Sequence, residues 1–79
     1  MRVVKELSVG SIRISVFSWN NKYLIKYEQG MVEQTYKISE MDILEEGDLN
    51  PFFEEKFIAE VEKKFEEMHA LLRKQVENI

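Results

Sequence analysis

Over residues 1–38 apolar side chains tend to recur at every second position, and from Phe57 onward they recur every three or four. A period of two sends alternate side chains to opposite faces of a strand, whereas spacings of three and four line one face of a helix. Three turn signals, Val9-Gly10-Ser11, Asn20-Asn21 and Gln29-Gly30, divide the first segment into the runs Arg2–Ser8, Ile12–Trp19, Lys22–Glu28 and Met31–Ile38. Gly and Asn accept the positive φ of two-residue loops, so the runs are expected to pair as hairpins. They are rich in Val, Ile, Tyr, Phe and Thr, residues that suit a pleated surface. The connections are too short for a crossover, and the expected sheet is an antiparallel meander.

Register follows from the loops. With Asn20-Asn21 at the tip, Trp19 faces Lys22, Phe17 faces Leu24 and Ile14 faces Tyr27. One face then collects Val3, Leu7, Ile12, Ile14, Val16, Tyr23, Ile25, Tyr27, Val32, Tyr36 and Ile38, which is the expected core face. The other collects Val4, Glu6, Arg13, Ser15, Phe17, Trp19, Leu24, Lys26, Glu33, Thr35 and Lys37. A slip of one residue exchanges the two sets, and the apolar imbalance forbids it.

Residues 39–50 read as an acidic connector, with a short capping box at Ser39-Glu40-Met41-Asp42 and a closing Gly47. Asn50-Pro51 reads as an N-cap followed by proline at the first helical position, which predicts a helix over 51–77. Its stripe is Phe57, Val61, Phe65, Met68, Leu72, Val76 and Ile79. The whole, residues 1–79, is expected to be a single α+β domain, β-β-β-β-α. A helix of that length spans about 40 Å, longer than the sheet it covers. The stripe therefore continues past the sheet, which predicts a homodimer with Met68, Leu71, Leu72, Val76 and Ile79 in the interface.

Composition narrows the chemistry. There is no cysteine and only one histidine, His69, which excludes disulfides, thiolate metal sites and a His-rich metal centre. The three glycines are scattered, so no glycine loop cradles a phosphate, and no Gly-x-Ser-x-Gly turn frames a serine nucleophile. Glu45, Glu46 and Asp48 do not match a calcium-loop spacing, and Glu54-Glu55 and Glu66-Glu67 read as a solvated helix face. The expectation is a non-enzymatic protein without cofactor or metal. No apolar run approaches a membrane span, and with no export-like N-terminal stretch the expected compartment is the cytoplasm.

Net charge is −4, yet residues 1–38 carry +3 and residues 39–79 carry −7. The basic half is the sheet, and its outer face interleaves Phe17 and Trp19 with Arg13, Lys26 and Lys37. Rings that stack on bases beside cations that follow phosphates are what a single-stranded nucleic-acid platform requires. Aromatic residues and Arg are also enriched where proteins dock on proteins. In its order of elements, its outer-face Arg13, Phe17, Trp19, Lys26 and Lys37 and its terminal helix, the chain resembles the positive-cofactor-four and Whirly-like single-stranded DNA-binding proteins. The resemblance covers most of the chain as topology, without a residue motif, and implies a dimer that binds single strands on the sheet. Two expectations follow: a dimeric module binding single-stranded DNA or RNA on the outer face, or a protein-interaction or assembly module.

Overall fold

The computed structural model describes residues Met1–Ile79. Four strands, β1 (Arg2–Val9), β2 (Ile12–Trp19), β3 (Lys22–Gln29) and β4 (Val32–Ser39), form one antiparallel sheet in the order β1-β2-β3-β4. The loops are the two-residue turns their composition demands. Asn20 and Asn21 both have positive φ, at 51° and 62°, and Gly10 and Gly30 lead the other two loops at φ 58°. The expected pairs Trp19–Lys22, Phe17–Leu24 and Ile14–Tyr27 are all present.

β1 departs from the simple alternation. Its register shifts between Val3 and Lys5, so Val3 pairs with Phe17 while Lys5 pairs with Val16. This bulge exchanges the two valines. Val3 joins the outer face beside Phe17 and is exposed, whereas Val4 packs against the core. The expected placement of Val3 inside and Val4 outside is therefore corrected. Adjacent valines read equally well in either parity, and one extra residue in the strand decides between them.

The connector contains two 3-10 segments. Glu40–Asp42 is capped by Ser39, whose Oγ accepts from the Met41 amide at 3.2 Å. Glu46–Phe53 holds Pro51 within it, and Asp48 Oδ2 accepts from the amides of Leu44 and Glu45 at 2.9 and 3.3 Å. The α-helix, α1, runs only over Glu55–Glu77, starting four residues later than the Asn50-Pro51 signal implies. Glu54 is extended, with ψ 147°, and breaks the chain between the two helical segments. The Phe52 carbonyl accepts from the Tyr27 hydroxyl at 2.8 Å instead of serving an α-helical turn. Phe52 and Phe53 also both pack against the core, which holds this stretch to the sheet.

Nine apolar residues are buried: Ile12, Ile14, Val16, Ile25 and Tyr27 from the sheet, Leu49 from the connector, and Ile58, Val61 and Phe65 from α1. α1 lies beside β4 and runs against it. Phe57 meets the rings of Tyr27, Tyr36 and Phe52, the Val61 carbonyl accepts from Gln34 Nε2 at 3.0 Å, and His69 Nε2 donates to Gln29 Oε1 at 3.0 Å. His69 also stands against Gly30, where a Cβ would lie 3.5 Å from its ring. Past His69 the helix leaves the sheet, and every residue from Ala70 to Ile79 is exposed. The radius of gyration, 14.1 Å, exceeds the roughly 12 Å of a compact chain of this length. No helix is long and apolar enough to cross a membrane.

Burial of Tyr27, reinforced by the nearby Tyr36 hydroxyl, pushes its phenol well above the ordinary tyrosine range. The unfolded phenol ionises first, so this contribution to stability is intact below pH about 10 and declines above it, by up to about 1.4 kcal/mol per pH unit. Urea unfolding across this range is expected to show the decline. Tyr27→Phe should make it shallower while costing about 1 kcal/mol at neutral pH through loss of the hydrogen bond to Phe52.

Candidate partner-binding face of the sheet

Every second residue of each strand points away from α1, and cross-strand pairing orders these side chains into rows. One row is Val3, Phe17, Leu24 and Lys37; the next, toward the Asn20-Asn21 loop, is Trp19, Lys22 and Ser39. In the opposite direction come Glu6, Ser15, Lys26 and Thr35, then Ser8, Arg13, Glu28 and Glu33. The five residues singled out from the sequence thus share one face. The structure separates them into two groups.

Arg13 and Lys26 belong to a charged end. Arg13 Nη2 lies 3.6 Å from Glu6 Oε1, and Lys26 Nζ lies 3.6 Å from carboxylate oxygens of both Glu28 and Glu33. Glu28 and Glu33 are direct cross-strand partners, and Lys26 separates two like charges that would otherwise face each other. These cations are occupied by their own sheet. Ser15, only 3 % exposed, is buried among them.

Phe17, Trp19 and Lys37 belong to the other end, with Leu24, Val3 and Lys22. Trp19 is 53 % and Val3 55 % exposed, and Phe17 and Leu24 are half-buried. Lys22 and Lys37 are exposed and form no ion pair, unlike the cations at the charged end. The result is a small apolar platform with two free ammonium groups on the β3 and β4 side. Val3 reaches it only through the bulge, so strand parity alone misses it. The signal for Lys22 was its place opposite Trp19 at the hairpin tip.

Other features are chemically sparse. A cavity of about 180 Å³ opens between the bulge and the connector, lined by Val4, Lys5, Val16, Glu46, Gly47, Leu49, Asn50 and Phe53, with Lys5 Nζ 4.6 Å above the Phe53 ring. No three His, Cys, Asp or Glu side chains converge as metal ligands would. Of the residues expected between two copies, Met68 is half-buried and packs on the core, whereas Leu71, Leu72, Val76 and Ile79 are 63, 38, 54 and 102 % exposed. No protein family, curated protein or solved structure matches the chain.

If Lys26 separates Glu28 from Glu33, Lys26→Ala should lower stability by about 0.5–1 kcal/mol, a fall of roughly 3–6 °C in Tm. Thermal unfolding checks this. Adding Glu33→Gln to that variant should recover part of the loss, and raising the salt should shrink the difference.

Proposed function

We propose that the chain is a non-enzymatic binding module that works as a homodimer and docks a protein partner on the Val3–Phe17–Trp19–Leu24 end of its outer sheet face. The observation that carries this reading is the partition of charge across the face. Its four cations, Arg13, Lys22, Lys26 and Lys37, stand against three carboxylates, Glu6, Glu28 and Glu33, and two of the cations are held in ion pairs. What is left for a partner is an apolar patch with two ammonium groups at its margin. That suits an apolar protein segment flanked by acidic side chains, with the aromatic residues as anchors and the lysines fixing orientation. The dimer is supported by Leu72, Val76 and Ile79, which extend the helical stripe beyond the sheet.

Single-stranded nucleic acid is the second reading. Phe17 and Trp19 lie two residues apart on one face of β2, next to Lys22 and Lys37, as a short stacking platform requires. Two free lysines neutralise few phosphates, and the net charge of −4 opposes approach of a polyanion.

Trp19 is the sole tryptophan, so its emission reports on this end of the face. An apolar anion, anilinonaphthalene sulfonate, is expected to accept energy from Trp19, and Lys22→Glu with Lys37→Glu should weaken that binding by about tenfold. A short oligothymidylate should quench Trp19 weakly even at low salt. Micromolar quenching with a logarithmic salt slope of about −1.4 or steeper, the value for two phosphates on a single strand, would replace the protein reading with the nucleic-acid one.

A further inference from the structure

From the exposed end of α1, we infer that two copies join end to end through antiparallel helix overhangs, with Val76 near the two-fold axis and Arg73 of each chain against the partner's Glu77. This rests on the dimeric reading above and specifies its geometry. Leu72 and Val76 follow Phe65 by seven and eleven residues, which leaves them within about 20° of it around the helix. Phe65 is fully buried against the sheet, so Leu72 and Val76 point to the same side, where the sheet has already ended. Val9, the last residue of β1, and the loop residue Met31, 38 and 86 % exposed, lie at the same end of the sheet. The overhang therefore projects past this end with its apolar side uncovered.

Charge identifies the occupant as a second copy, and the surface exposed beyond that of a compact monomer is of the size that one partner buries. The chain exposes 5883 Å², against about 5,000 Å² for a compact monomer of its mass. The excess, about 900 Å², is close to the ~800 Å² that one partner contributes to a stable interface. Arg73 and Glu77 stand four residues apart on one flank of the stripe, yet form no ion pair with each other or with any other residue. In an antiparallel two-fold pair, the same flanks of both helices meet with their order reversed. With Val76 near the axis, Leu72 packs against the partner's Ile79, and Arg73 meets the partner's Glu77 twice. A parallel two-fold pair brings opposite flanks together, so Arg73 and Glu77 would face the partner's Leu71 and Gln75 and meet no opposite charge. Register is limited from the other side by Met68 and Phe65, already committed to the chain's own core.

The test uses the full chain in sedimentation equilibrium at low salt, with circular dichroism as the folding control. The wild type is expected to be a dimer. Val76→Glu should dissociate it without loss of helix or sheet, because Val76 lies outside the core. Arg73→Glu alone and Glu77→Arg alone should each raise the dimer Kd about tenfold, roughly 1.4 kcal/mol. The double exchange, Arg73→Glu with Glu77→Arg, should restore it. A wild type that is monomeric at tens of micromolar overturns both the dimer and this arrangement. A stable dimer indifferent to both single exchanges, or a double variant as weak as the singles, overturns the arrangement and leaves the dimer standing.

Discussion

The length of α1 relative to the sheet is the constraint on which the rest of this molecule depends. Strands of eight residues give a sheet about 27 Å long, and a helix of 23 residues is about 34 Å long. The connector makes the mismatch matter by fixing where the helix begins. Tyr27 ties the Phe52 carbonyl to the sheet, Glu54 turns the chain, and Phe57 enters the ring cluster of Tyr27, Tyr36 and Phe52. With its start set near Tyr36, α1 reaches Gly30 by His69 and spends its last two turns or so beyond the sheet. The apolar residues there are as regularly placed as those in the core, but nothing in the same chain covers them.

The two faces of the sheet resolve a different constraint. Two-residue loops lock strict cross-strand pairing, so each outer row brings whatever the sequence supplies at fixed spacing. Toward the glycine-led loops that spacing sets Glu28 opposite Glu33, and Lys26 and Arg13 are consumed in balancing carboxylates. Toward the asparagine loop it sets Phe17 beside Leu24 and leaves Lys22 and Lys37 free. The +3 charge of the first half is therefore a poor measure of what the face offers a ligand. Exposed ion pairs contribute little to stability, but here the carboxylates offset the charge of Arg13 and Lys26, so the uncompensated cations of the face are Lys22 and Lys37.

Strand order, register and the amphipathic stripe were legible in the sequence because hairpin loops and periodicity are local signals. Three features were not. The bulge at Val3–Lys5 hides in the pair Val3-Val4, where either residue fits either face. The late start of α1 hides because Asn50-Pro51 is a good helix start locally, and only the distant hydroxyl of Tyr27 competes for the Phe52 carbonyl. The neutralisation of Lys26 needs Glu33, seven residues away in sequence and on the next strand. Each is a tertiary effect overriding a sound local preference, and the first and third alter the candidate site directly. Val3 entered it, and Arg13 and Lys26 moved to its occupied end.

The two proposals constrain one another. The stripe of α1 faces its own sheet, so two stripes that meet must hold their sheets on opposite sides of the helix pair. The outer faces, on the far side of each sheet from α1, then turn away from one another at the two ends of the dimer. Such a geometry gives one continuous ligand little opportunity to engage both Trp19 platforms, since avidity vanishes when a linker cannot span the sites. It suits two separate partners, one at each end. A single strand lying across a doubled basic surface would need the sheets side by side, with their free lysines on a common face. The proposed antiparallel overhang and the sparse free charge of each face point the same way: on that arrangement the proposed dimer would bridge docked proteins rather than span one strand.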